Sequence, residues 1–185
     1  EVEPTITYLP IPYAGITMGF LFCNTIEDES YSGVSKDQRW RWSSDDDSPL
    51  CHHFALRPAI QLATPALKLG KDKDMGLSFI LSPGLTIPLS VNQRLNISYY
   101  PNVSGIWSSQ RFDQVKNRGG RAIFYHIKGM FTLDLGEQYT LSAGYTFSDF
   151  DMYSGGRNMV VEGKKLTMPA FRFMHSFFVS LGYRF

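Results

Sequence analysis

Four histidines, two cysteines and a run of three aspartates are the residues whose types could do chemistry. A histidine acts as a general base only within hydrogen-bonding reach of a nucleophile or a water. His175 and Ser176 are adjacent. On a strand, adjacent side chains point to opposite faces, so these two form no dyad there. The same alternation keeps Cys51, His52 and His53 from converging on a metal unless a loop gathers them. Asp45, Asp46 and Asp47 could offer carboxylates to calcium, but beside Pro49 they read as a charged, solvated turn. Gly119–Gly120 and Gly155–Gly156 read as loop punctuation rather than as phosphate cradles. No catalytic residue, metal or cofactor is expected.

The chain has 185 residues, enough for a single domain spanning 1–185. Its net charge of +1 gives no global field that would favour nucleic acid. Mean hydropathy is −0.16, and no run approaches the ~18 apolar residues a spanning helix needs. A membrane-spanning strand keeps its average near zero, because lipid-facing and inward-facing residues alternate. The polar start at Glu1 leads to the expectation that a signal peptide was removed.

Period two is the pattern that recurs. Ile16, Met18, Phe20 and Phe22 alternate with Thr17 and Gly19. Phe54, Leu56, Pro58, Ile60 and Leu62 alternate with Ala55, Arg57, Ala59 and Gln61. Leu77, Phe79, Leu81, Pro83, Leu85 and Ile87 alternate with Ser78, Ser82, Gly84 and Thr86. Tyr125, Ile127, Phe131 and Leu133 alternate with His126, Lys128, Thr132 and Asp134. Tyr139, Leu141, Tyr145 and Phe147 alternate with Thr140, Ser142, Gly144 and Thr146. In a soluble sandwich the face away from the core is charged. Here the second face is rich in Gly, Ala, Ser and Thr, which suits the crowded interior of a narrow barrel.

The ending Phe177–Phe185, FFVSLGYRF, carries Phe177, Val179, Leu181, Tyr183 and Phe185 at every second position. It resembles the C-terminal signal of bacterial outer-membrane β-barrel proteins, small barrels of the OmpA and OmpX kind. It is also similar to the broad outer-membrane β-barrel family of Bacteroidota-type bacteria. The resemblance implies a closed antiparallel transmembrane β-barrel of eight strands in the outer membrane. It also implies that the barrel-assembly machinery reads those five residues during biogenesis.

Seven strands are expected near 13–24, 53–69, 76–89, 93–101, 120–134, 138–149 and 170–185. A closed single-chain barrel uses an even number, so an eighth is expected near 35–43, with Trp40 and Trp42 toward lipid and Arg39 and Arg41 inward. Both termini are then periplasmic. The loops 70–75, 102–119 and 150–169 lie outside the cell, and 90–92 and 135–137 are tight inner turns. Cys23 and Cys51 fall on opposite membrane faces, too far apart for a disulfide. Pro58 and Pro83 break the ladder rule and imply either bulges or a strand pair turned toward another envelope protein. Arg57, Arg94, Lys128 and Arg172 face inward with Asp134 and His126. Their charge is met by Asp134, by loop carboxylates such as Glu27 or Glu29, or by a bound anion.

The outer loops lean basic. Arg111, Lys116, Arg118, Arg157, Lys164 and Lys165 could touch lipopolysaccharide phosphates. The functional expectation is a non-enzymatic structural protein or accessory subunit of a secretion, uptake or assembly complex. Its partners would be outer-membrane lipid, lipopolysaccharide and other envelope proteins, and no nucleic acid. The alternative is an outer-membrane enzyme that modifies lipid A or cuts peptides, which in known small barrels needs a His-centred group near the outer leaflet.

Overall fold

The computed structural model describes residues 1–24, 31–44, 52–70, 75–89, 94–116, 120–154, 159–167 and 172–184. Those residues form antiparallel β-sheets and no helix. The large sheet contains β1 (Thr5–Ile11), β2 (Ala14–Asn24), β5 (His52–Ala63), β7 (Met75–Pro88), β10 (Phe124–Leu135), β11 (Tyr139–Ser148) and β14 (Met174–Tyr183), paired in that order. A short eighth strand, β6 (Leu67–Leu69), pairs with the start of β7. Among the described residues no ladder joins β1 to β14, so these two are the edges of the sheet.

Alternation decides what each strand shows to either side. The apolar positions of the sequence lie on the outer face and are exposed: Ile6, Met18, Ile60, Leu81, Phe131 and Leu141, for example. The alternate positions, among them Arg57, Gln61, Ser82, Thr86, His126, Thr132 and Thr146, are buried. Inner residues of β1, β2, β5, β7, β10, β11 and β14 line one common cavity, so the sheet curls around it.

Tight connections lie at one end. The β1–β2 hairpin turns at Pro12 and Tyr13, since Ile11 pairs with Ala14. The β10–β11 turn places Gly136 at φ +69°, a conformation glycine adopts without steric cost. Long excursions leave from the other end, between β2 and β5, β7 and β10, and β11 and β14. The first two build a second sheet, ordered β3 (Ser32–Val34), β4 (Trp40–Ser44), β8 (Arg94–Pro101) and β9 (Arg111–Lys116). The third contributes a small hairpin of β12 (Val160–Val161) and β13 (Lys164–Lys165). Trp42, Leu95, Ile97 and Tyr99 pack with Tyr153, Met159, Val161 and Leu166 into one apolar core, which ties all three excursions together. A second cluster of Leu21, Cys23, Ala55, Phe124 and Phe150 sits where β2, β5 and β10 meet the third excursion.

Several expectations change. The segment 35–43 supplies no strand to the large sheet; its C-terminal part is β4, which pairs with β8. Trp42 is buried in the excursion core and Trp40 packs against it. Period two cannot tell a lipid-facing tryptophan from one that packs under a loop. The strand expected at 93–101 belongs to this second sheet as well. β1 takes the place of one of these two, so the path of the large sheet has seven strands; β1 starts at the excursion end and β14 finishes at the turn end, so the two ends of the chain do not share one side as expected. With 93–101 gone from the wall, the connection near 70–75 moves to the same end as the tight turns.

The expected placement of the two cysteines on opposite faces falls for the same reason. β2 and β5 are neighbours, and Cys23 stands opposite His53. The chain therefore enters β5 at the same end as Cys23, not across the sheet from it. Cys51 lies outside the described residues, and Cys23 is a buried free thiol.

The prolines behave differently from expectation too. β5 and β7 keep one register from Ala55↔Pro88 through Ala59↔Gly84 to Ala63↔Ile80, and the ladder omits the rungs at Pro58 and Pro83. Both missing donors thus fall on one seam. The bulge lies at Pro65, where Leu67 next pairs with Leu77.

Candidate functional site

The inner face is assembled by register. β5 brings Arg57 opposite Gly19 of β2, and β7 brings Ser82 opposite Lys128 of β10. A side chain at Gly19 would collide with the Glu3 carboxylate, so the glycine makes room for that acid beside Arg57. Arg57 is 1% exposed. Its Nη1 donates to Glu3 Oε2 at 2.8 Å and to Glu1 Oε1 at 3.3 Å. Lys128 Nζ pairs with the other oxygen of Glu3 and stands 5.8 Å from the centre of the Phe178 ring. One carboxylate thus bridges two cations, which lowers the cost of burying them.

Around this cluster the inner face is polar. Thr86 Oγ1 and His126 Nδ1 lie 3.1 Å apart. Thr7 Oγ1 donates to Thr17 Oγ1 at 3.0 Å, and Thr132 and Ser142 hydroxyls meet at 2.8 Å. Thr7, Thr17 and His126 border a cavity with a volume of about 680 Å³, which Arg57, Ser82 and Lys128 also line. At the turn end Arg184 donates to Asp134 at 2.6 Å, and at the excursion end Arg121 pairs with Asp149 at 2.5 Å.

Arg57, Lys128, His126 and Asp134 face inward as expected. Arg94 does not: it lies on β8 in the second sheet, where Nη1 donates to Gln114 at 3.5 Å. Arg172 is exposed, its guanidinium 5.5 Å from the Phe173 ring. The expected partners Glu27 and Glu29 lie outside the described residues; Glu1 and Glu3 are the acids found at Arg57. The sequence did hold a signal for them, because Glu1 and Glu3 share the odd-numbered face of Thr5, Thr7 and Thr17 once β1 is recognised.

Phe177, Val179, Leu181 and Tyr183 lie on the outer face of the edge strand β14, with Phe177 at 87% exposure; Phe185 lies outside the described residues. Arg111 and Lys116 occupy the two ends of β9, an edge strand. Arg111 stacks 4.6 Å from the Tyr99 ring and pairs with Asp113 at 3.6 Å. Lys164 and Lys165 are exposed on β13. Arg118 and Arg157 lie outside the described residues. Burial raises the pKa of Tyr99, as does the Glu162 carboxylate that accepts its hydroxyl hydrogen at 3.2 Å.

His175 is on the outer face against the Tyr145 hydroxyl, whereas Ser176 lines the cavity. Cys51 and the His52 side chain lie outside what is described, and His53 is buried next to Phe150, ring centres 6.4 Å apart. Among the described residues no three His, Cys, Asp or Glu side chains come together as a metal site.

Against this geometry stand the comparisons with known proteins. No protein family, curated protein or solved structure matches the chain.

Proposed function

We propose that this chain is a non-enzymatic integral outer-membrane protein of a Gram-negative, Bacteroidota-type bacterium. In this reading its large sheet is the wall of a transmembrane β-barrel, and it serves as a structural protein or an accessory subunit of an envelope complex. The observation that carries the proposal is the inverted distribution of polarity. The outer face exposes Ile6, Met18, Ile60, Leu85, Phe131, Phe177, Val179 and Leu181, while Arg57, Gln61, Ser82, His126 and Thr146 are buried. A soluble monomer rarely exposes a contiguous apolar surface on this scale. In lipid such a face is required, and the polar groups must turn inward.

Tyr13, Tyr139 and Tyr183 lie near the turn end on that outer face, a position suited to a membrane interface. The excursions and their basic residues then face outward, toward lipopolysaccharide. The seam weakened by Pro58 and Pro83 is the stretch of wall proposed to meet another envelope protein.

The test is expression with a secretion signal in a Gram-negative host. The protein should fractionate with the outer membrane, need detergent for extraction, and migrate differently on SDS gels before and after boiling. Recovery as a detergent-free soluble monomer would overturn the proposal.

A further inference from the structure

We propose that Arg57 and Lys128 form a binding site for small carboxylate anions on the inner face, and that Glu1 and Glu3 occupy it as tethered ligands. Both acids precede β1, beyond Pro4, and are not part of a neighbouring strand. They reach inward to a guanidinium that is itself 1% exposed. Only Nη1 of Arg57 is used by them. Among the described residues its Nε and Nη2 meet no acceptor, and neither does the hydroxyl of Ser82, which stands across the ladder from Lys128. The Nε and Nη2 pair is an edge of the guanidinium that matches two carboxylate oxygens.

The donors therefore exceed what Glu1 and Glu3 use, and they border a cavity of about 680 Å³ that also contacts Gln61 and Thr146. That volume is in the ordinary range for a small-molecule site. Two acids from one short segment, Glu1 on Arg57 and Glu3 shared between Arg57 and Lys128, have the form of a dicarboxylate. A tethered ligand acts at an effective concentration on the order of millimolar, so it masks the site from free anions of similar affinity.

Glu1→Gln/Glu3→Gln in detergent micelles, titrated calorimetrically with succinate, should bind about tenfold or more tightly than the unaltered chain. Adding Arg57→Gln and Lys128→Gln should abolish the gain. Phosphate is the second probe; uptake equal to that of succinate overturns the carboxylate assignment. A folded double variant, checked by circular dichroism, that binds succinate no better than the unaltered chain overturns the site. Should that variant not fold, Glu3→Asp shortens the tether by one methylene and keeps the charge. Succinate binding should still rise, and no rise overturns the proposal. The inference rests on the inner-face geometry alone, so failure of membrane fractionation leaves it standing.

Discussion

Arg57 sits at the centre of the inner face, and its environment makes a sharp demand. Removing a buried charged partner leaves the other charge unsatisfied, at a cost of about 3–5 kcal/mol. Arg57→Ala should destabilise the folded protein by that order in urea unfolding from micelles. Combining it with Glu1→Gln/Glu3→Gln should return part of the loss, whereas additive losses would show that the pairs are not coupled. On the opposite face Leu81 pairs with Gly129 across β7 and β10. Leu81→Arg should cost about 2–4 kcal/mol if the residue meets mid-bilayer lipid; a change near zero in lipid vesicles would remove Leu81 from the bilayer. Gly84 is constrained by packing. A Cβ there would lie 2.5 Å from both the Ala59 Cβ and the Pro58 carbonyl oxygen. Gly84→Ala should therefore destabilise by about 1–3 kcal/mol through overpacking, read from the same unfolding curves. The facing of Arg57, His126 and Lys128 was legible in the alternation. Their partners were not, because Glu3 and Lys128 are 125 residues apart, and periodicity carries no information about such contacts.

The long strands were readable because alternation extends over many residues, as in Met75–Pro88 and Phe124–Leu135. β1 was harder to see. Pro4, Pro10 and Pro12 crowd it, and Leu9 interrupts the order set by Ile6 and Tyr8. The segments at 40–44 and 94–101 were recognised as strands but given to the wrong sheet. Local pattern fixes that a residue alternates; it does not say whether the apolar side will meet lipid or a loop core. That distinction yields a prediction. Trp42→Ala should cost about 3–5 kcal/mol within the excursion core, and hydrogen exchange should show loosened β4 and β8 while β7 and β10 keep their protection. Loosening throughout would mean that the two sheets fold as one unit. At the other end of the chain, removal of Phe185 should lower the amount reaching the outer membrane while leaving purified, refolded protein equally stable. Undiminished membrane levels would mean that the ending is not read during assembly.

At the scale of the whole molecule, polarity and topology agree. Everything tight is at one end, everything elaborate is at the other, and the two clusters at the excursion end share Met152 as a common neighbour. Closure is what the sequence could not supply, since it depends on how the first and last strands meet. β1 and β14 both begin at the excursion end: Val2 bridges Phe22, and Met174 pairs with Ser148. Both finish at the turn end, where Ile11 pairs with Ala14 and Tyr183 with Tyr139. The two edges therefore share a heading. In a wall whose neighbours always reverse, edges that share a heading are separated by an odd vacancy in parity. Zipping them directly would create the wall's sole parallel ladder, with slanted bonds unlike the rest. A single strand of the reverse heading would satisfy both edges at once. Until one or the other happens, the amides of β1 and β14 are the outermost in the sheet and should exchange ahead of those in β7 and β10. Equal protection in all four strands would reveal that the edges have found a partner.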